Sequence, residues 1–297
     1  MSMNWAEGYI AVDWGTTNRR AWRLDPAGAV AEEMEDDQGI LAVSGGGFPD
    51  AVCCIRSRLG DLPMLMAGMI GSNRGWVEAP YVRCPAGLPD LAEHLLWIDA
   101  ERAAIVPGVA YDPDSAADVM RGEEIQLLGA YSEGWIGPDS TLCHPGTHNK
   151  WVRLEDGRIA AFRTVMTGEL FNLLKAHSIL ADLLVGAAEP GPAFEAGVRH
   201  GLDHEDLTAE LFSVRARTLL GKARLEDSSA YVSGLLIGAD LKIGLRLAGD
   251  GETVIVGNPQ LTRLFSAGLA AAGRPSREID GEAAFLAGIR HLVELVR

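Results

Sequence analysis

The sequence predicts an α/β protein of two domains built to one design, and three observations carry that expectation. First, a strand-like run, a glycine-threonine turn and a second strand-like run occur at 9–24 and again at 141–154. Second, most other segments carry helical periodicity, interrupted by short strands. Third, 297 residues are enough for two domains of ordinary size, and 47% hydrophobic residues suffice for a core in each.

Tyr9–Trp14 and Arg19–Leu24 are strand candidates on either side of the turn Gly15-Thr16-Thr17-Asn18. A third strand is expected at 29–35, after the turn Asp25-Pro26-Ala27-Gly28. A helix follows over Phe48–Leu59, then a buried strand at 64–67. Residues 68–90 are rich in Gly, Pro and aromatics, which suggests a structured loop lining a cleft. The pattern at 115–131 is helical, with Ser115 and Asp118 as a capping box, and Gly122 marks the point where a second helix can begin. Strands are expected at 141–144, 149–154 and 159–164, the last two joined by the hairpin turn Glu155-Asp156-Gly157.

The remainder reads as mainly helical. At 229–247 the residues Val232, Leu235, Leu236, Ala239 and Ile243 fall on one helical face. A short strand at 253–256 passes through Gly257 into a helix with Asn258 at its N-cap and Pro259 at its first position. The last helix starts near Asp280 and presents Phe285, Ile289, Leu292, Val293 and Val296. The expected domains are 1–121 and 122–297, with the last helix packing back on the first.

A net charge of -15 argues against the nucleic-acid backbone as a partner, because such binding accumulates Lys and Arg. Anionic metabolites stay open, since local N–H groups outweigh a distant surface field. The four cysteines, Cys53, Cys54, Cys84 and Cys143, lack metal-site spacing and read as reduced thiols of a cytoplasmic protein. There is no signal-peptide pattern and no apolar run near the roughly 18 residues that span a bilayer, so a soluble chain is expected.

Four segments carry chemistry. Asp13-Trp14-Gly15-Thr16-Thr17-Asn18 can turn backbone N–H groups and threonine hydroxyls on one phosphate, while Asp13 can hold hydrated magnesium through water. Alone it also fits an ordinary hairpin turn. Gly146-Thr147 can clamp phosphates from a second side, with Lys150 as a charge partner, and it too fits a polar hairpin. His144 and His148 lack helix spacing and further ligands, so no metal site is expected there. In Arg121-Gly122-Glu123-Glu124 a carboxylate beside a glycine at a helix start can accept a proton from a substrate hydroxyl; an acidic helix N-terminus needs no such role. The junction Gly257-Asn258 is a common seat for a nucleotide.

In this order the pieces resemble the superfamily of sugar kinases, acetate kinase, heat-shock chaperones and actin. That resemblance implies two actin-like (ribonuclease H-like) domains with a nucleotide cleft between them. It casts Asp13, Gly15, Thr16 and Thr17 as the first phosphate motif and 142–150 as the second. Residues 254–268 take the place of the adenosine motif and 283–288 that of the closing connector. Gly122-Glu123 stands where a Gly-Asp pair supplies the base in glycerol-kinase-like members, and glutamate for aspartate leaves Glu124 as the alternative to Glu123.

A more specific set consists of 13–18, 67–76, 120–124, 145–151 and 166–171, and it resembles the 2-dehydro-3-deoxygalactonokinase family over nearly the whole chain. The resemblance implies ATP and Mg2+, and phosphorylation of 2-dehydro-3-deoxy-D-galactonate at its 6-hydroxyl in galactonate catabolism. An acidic sugar needs a cationic or N–H-rich pocket, for which Ser72, Asn73, Arg74 and Trp76 are the candidate wall and Arg74 the carboxylate partner. A kinase for another sugar or aldonic acid, or a nucleotide-gated binding protein, are the other readings, and a homo-oligomer is left open. No GxxxxGK[ST], GxSxG or HExxH motif supports another enzyme class.

Overall fold

A computed structural model describes residues 5–113, 116–249 and 251–297. The chain divides into two compact units, one of Met1–Pro138, Asp156–Ala161 and Glu282–Arg297, the other of Asp139–Glu155 and Phe162–Gly281.

Unit 1 opens with β1 (Tyr9–Trp14), β2 (Arg19–Leu24) and β3 (Val30–Asp36), an antiparallel meander. Then come α1 (Phe48–Leu59), β4 (Met64–Gly68), β5 (Tyr81–Arg83), α2 (Leu88–Glu93), β6 (Leu96–Ile98) and β7 (Ala103–Ile105). β8 (Gly108–Tyr111), β9 (Asp118–Met120) and α3 (Glu123–Ser132) complete the run. Six strands form one sheet in the order β3-β2-β1-β4-β7-β6, with β1, β4 and β7 parallel. A three-stranded sheet, β5-β8-β9, stands beside it in sequence.

β1 is almost continuously apolar because it lies between two neighbours and is buried on both faces. β3 is an edge strand and carries its acidic residues outward, which blunts pairing with another chain. The core gathers Ile10, Val12 and Trp14 of β1 with Val52 and Ile55 of α1 and Met64 and Met66 of β4.

Unit 2 contains β10 (Ser140–His144), β11 (Asn149–Glu155) and the later part of β12 (Arg158–Val165). Four helices follow: α4 (Thr167–His177), α5 (Pro192–Asp203), α6 (Leu207–Leu219) and α7 (Ser228–Ala248). The unit ends with β13 (Thr253–Gly257), α8 (Pro259–Ala271) and β14 (Ser276–Asp280), and α9 (Gly281–Val296) then joins unit 1. Its sheet runs β12-β11-β10-β13-β14, again a meander joined through its first strand to parallel partners. This repeats the order of β3-β2-β1-β4-β7, the actin-like arrangement expected for both halves.

Close contact of α5 with α7 needs glycine, since a Cβ at Gly197 would come within 2.1 Å of the Tyr231 carbonyl oxygen, and one at Gly234 within 2.1 Å of that of Phe194. The turn between β11 and β12 places Asp156 at φ 51° and Gly157 at φ 73°, the left-handed pair of a tight hairpin.

Two expectations need correction. The helical reading of 115–131 fails in its first part, because 118–120 is β9 and pairs antiparallel with β8. Ser115 lies outside the described residues. A three-residue strand carries no period that could outweigh a capping pattern, and Gly122 at φ 107° stops any helix from continuing through it. The loop expected at 68–90 also contains regular structure, β5 and the start of α2. The Asn258 cap is as expected: its Oδ1 accepts the Gln260 N–H at 2.9 Å, with Pro259 at the first helical position.

Candidate active site

In unit 1 the first turn is built by backbone bonds. Gly15 N–H donates to Asn18 O at 2.9 Å, which closes it. The segment 39–41 lies behind it, its amides donating to Thr17 O (3.0 Å), Gly15 O (3.0 Å) and Thr16 O (3.2 Å). This approach requires glycine at position 39, where a Cβ would sit 2.4 Å from both Thr16 O and Thr17 C. All three carbonyls are thus turned away from solvent, while Thr16, Thr17 and Asn18 are exposed.

Asp13 stands at the end of β1. Its Oδ2 accepts from Arg20 Nη2 at 2.9 Å, and Arg20 Nη1 reaches Glu282 at 3.1 Å. Beside it is Gly68, where a Cβ would lie 3.5 Å from Asp13 Oδ1. Gly122 packs on Gly68 in turn: a Cβ there would come within 3.2 Å of Gly68 Cα. The start of α3 is therefore brought to the end of β1 across two glycines.

The two glutamates of that start part company. Glu123 is partly exposed, and its Oε2 accepts the Arg121 amide at 3.0 Å. Glu124 is wholly buried, both its oxygens receiving the Gly122 amide at 2.8 Å. Burial, followed by the charge of Glu123, pushes its carboxyl up to about 8.

The candidate substrate loop follows Gly68. Ser72 is buried and its hydroxyl accepts the Arg74 amide at 3.2 Å. Trp76 stacks on Phe48 with ring centroids 6.4 Å apart, and Asn73 and Arg74 are exposed. Sequence reasoning overlooked Arg121, whose buried guanidinium donates from Nη2 to Ala79 O at 2.8 Å and lies 4.3 Å from the centroid of the Tyr81 ring. It ties the loop to the start of α3. Gly39 and Gly68 were overlooked as well; neither stands in a periodic pattern.

In unit 2 the second turn is held chiefly by side chains. Gly146 N–H donates to Asn149 Oδ1 at 2.8 Å, and the Asn149 amide donates to the buried Asp240 of α7. Trp151 Nε1 (2.6 Å) and the Thr167 hydroxyl donate to the same carboxylate. On the other side, Glu169 N–H donates to Thr147 O at 2.9 Å, and Gly168 lies so close that a Cβ would be 2.4 Å from Gly146 O. His148 Nε2 meets Glu169 Oε2 at 2.5 Å. Thr147 and His148 are exposed. Lys150 is buried and its Nζ donates to Thr164 Oγ1 at 2.8 Å.

Gly257 adjoins this turn, with the Pro145 ring 3.5 Å from where its Cβ would be. A cavity of about 330 Å³ opens from Gly146 and Asn149, lined by Gly168 and Phe171 of α4, Ser233 and Leu236 of α7, and Gln260 and Phe265 of α8. Its walls are mainly apolar with a few polar groups, as is usual for a small-molecule site. A larger cavity of about 420 Å³, bordered by Arg217, Arg224 and Tyr231, includes no residue of any motif. Among the described residues there is no cluster of three or more His, Cys, Asp or Glu that could hold a metal, and no helix is long and apolar enough to cross a membrane.

The chain is similar to known proteins over nearly its whole length. The family model described as 2-keto-3-deoxy-galactonokinase matches residues 13–292. The chain is 38% identical to the 2-dehydro-3-deoxygalactonokinase of Escherichia coli (strain K12) over 292 residues, covering 97% of this chain and 98% of that one. A crystal structure of a Sinorhizobium meliloti protein provisionally given the same name superposes with a TM-score of 0.88 at 36% identity, covering 96% and 98% of the two chains. The activator of 2-hydroxyisocaproyl-CoA dehydratase from Clostridium difficile, solved with bound ADPNP, shares the fold at a TM-score of 0.52 and 13% identity, over 97% and 95%.

Proposed function

The chain belongs to the 2-keto-3-deoxy-galactonokinase family, and on that premise we propose that it moves the γ-phosphoryl group of ATP to the 6-hydroxyl of 2-dehydro-3-deoxy-D-galactonate. It is an ATP-dependent sugar-acid kinase, a phosphotransferase with an alcohol acceptor, and it serves galactonate breakdown. The observation that supports the mechanism is the packing of Gly122 on Gly68, which brings the start of α3, the element that carries Glu123, to the end of β1.

In the proposed reaction the O6–phosphorus bond forms as the bond from γ-phosphorus to the β,γ-bridging oxygen breaks. Glu123 takes the proton released from O6. Within unit 1, Thr16 and Thr17 can offer hydroxyls and amides to phosphate oxygens, their carbonyls having been drawn back; within unit 2, Thr147 can do the same. Gly15 and Gly146 act through close approach, because their own N–H groups close the turns. Gly257 and Asn258 lead into α8, whose Gln260, Leu264 and Phe265 line the cavity that would take adenosine. Lys150 braces β11 against Thr164. Arg74 is exposed and suits the carboxylate of the sugar acid, with Ser72, Asn73 and Trp76 shaping the wall.

Asp13 fits a water-mediated magnesium site: it is a single half-buried carboxylate with one oxygen anchored by Arg20, and magnesium keeps most of its own water. When bound with ATP, that ion neutralises phosphate charge. The demand for ATP and a catabolic sugar acid suits a cytoplasmic enzyme.

Glu123→Gln tests the assignment. In a coupled ADP-release assay it should lower turnover about 10²–10⁴-fold, with ATP affinity by calorimetry nearly unchanged. Turnover within a few-fold of the unmodified enzyme, together with an inactive Glu124→Gln, would transfer the role to Glu124.

A further inference from the structure

Asp240 lies outside every motif, in the middle of α7, and is 1% exposed. A carboxylate so placed is costly unless donors surround it. Three do: the Asn149 amide, the indole N–H of Trp151 at 2.6 Å and the hydroxyl of Thr167. Two come from β11 and one from the first residue of α4. Only an acceptor-only group can satisfy all three.

The consequence reaches the second turn through Asn149. A side-chain amide has a donor end and an acceptor end. With Nδ2 committed to Asp240, Oδ1 must face the other way, and there it accepts the Gly146 N–H at 2.8 Å. Reversing the amide would set donor against donor at Gly146 and acceptor against acceptor at Asp240. We propose that Asp240 is a positioning residue for nucleotide: by dictating the polarity of the Asn149 amide it locks Gly146, and so aims the exposed Thr147–His148 peptide and the Thr147 hydroxyl at the ATP phosphates. This rests on the reading that the second turn holds those phosphates. Thr167 extends the device, since it lets the same carboxylate fix the first turn of α4, whose Glu169 amide holds Thr147 O.

Asp240→Asn leaves one neutral oxygen for the three donors. The bond that fixes the sense of the Asn149 amide is then weakened by loss of the charge when that oxygen faces Asn149 and Thr167, and lost when it faces Trp151. ADP dissociation measured by calorimetry should weaken on the order of tenfold, as expected for disrupting hydrogen bonds to a charged group. The ATP KM should rise in parallel, with the KM for the sugar acid changed less than about twofold. Asn149→Ala should give the same split, and the double variant should add little to either. Trp151→Phe is the control: it removes a donor to Asp240 but leaves the Asn149–Gly146 link, so Tm should fall while ADP affinity stays within about twofold.

Equal loss of affinity for both substrates in Asp240→Asn, or equal weakening of ADP binding by Trp151→Phe, would reduce Asp240 to a structural residue. Should Asp240→Asn not fold, Asn149→Ala carries the same decision. Thr147→Val separates the two layers of the inference. If it weakens ADP while the Asp240 and Asn149 variants do not, only the positioning role falls. If it leaves ADP binding unchanged, the second turn is not a phosphate site and the proposal falls with it.

Discussion

The turns at 15–18 and 146–149 connect corresponding strands of two sheets with the same order, yet they are held in opposite ways. The first is shaped almost wholly by backbone: three amides of 39–41 take its carbonyls, and Gly39 lets that segment come close enough. The second is shaped by a buried charge, acting through Asn149 on one side and Thr167 on the other. Both solutions turn carbonyls inward and leave threonines outward. Backbone amides withdraw the carbonyls at both turns, those of 39–41 at the first and that of Glu169 at the second; what differs is that at the second a carboxylate fixes the helix start through Thr167 and the turn through Asn149. The first turn is accordingly exposed to steric change, and the second to chemical change.

The largest effect should come from sterics at the first turn. In Gly39→Ala the new methyl would overlap Thr16 O and Thr17 C, both backbone atoms that cannot rotate aside. The segment 39–41 or the turn must shift by about 1 Å, and misplacement on that scale costs about 10²-fold in kcat/KM for ATP. Gly168→Ala is the matched change at the second turn, with a Cβ 2.4 Å from Gly146 O. It should cost less, because the Asp240–Asn149–Gly146 chain still orients the turn from its other side. Steady-state kinetics on both variants decides this, and an equal loss would mean that the second turn also depends on shape.

A smaller effect sharpens the contrast. Thr167→Val keeps the shape of the side chain and removes one of the three donors to Asp240. Loss of a hydrogen bond to a buried charge should cost roughly 1.5–3 kcal/mol, seen as a fall of several degrees in Tm, while the ATP KM changes less than about threefold because Asn149 keeps its partner. An ATP effect as large as that of Asp240→Asn would show the network acting as one unit, not through the Asn149 arm.

What could be read from sequence follows the same division. The two turns, α1 and the Asn258–Pro259 helix start announce themselves through local residue types: Gly-Thr between strands, Pro and Asn at caps. The supports do not. Gly39 contacts a turn more than twenty residues earlier, and Asp240 meets Asn149 across 91 residues of chain. One signal was available for Asp240, which follows Leu236 by four positions and so lies on the apolar face of α7 as a lone acid. The β9 strand was hidden for another reason: its three residues were outvoted by a helix-start pattern, and pairing with β8 decided the matter.

The two buried carboxylates offer the last distinction, this time by pH. Asp240 is raised by burial and drawn back by three side-chain donors, whereas Glu124 has burial and the Glu123 charge against it and the Gly122 amide as its leading donor. Glu124 is raised from 4.5 to about 8, so below about pH 4.5 it is protonated in folded and unfolded chains alike and its contribution is fully present. Between these values the folded chain alone holds the proton, and stability is lost as pH rises toward 8. Glu124→Gln is neutral throughout and keeps an acceptor for the Gly122 amide. Plotted as Tm against pH from 5 to 8, the difference between this variant and the unmodified protein should move steadily in favour of the variant, by a few degrees. Parallel curves would mean that Glu124 is ionised in the fold, and that unit 1 holds a buried charge at its helix start just as unit 2 does at its turn.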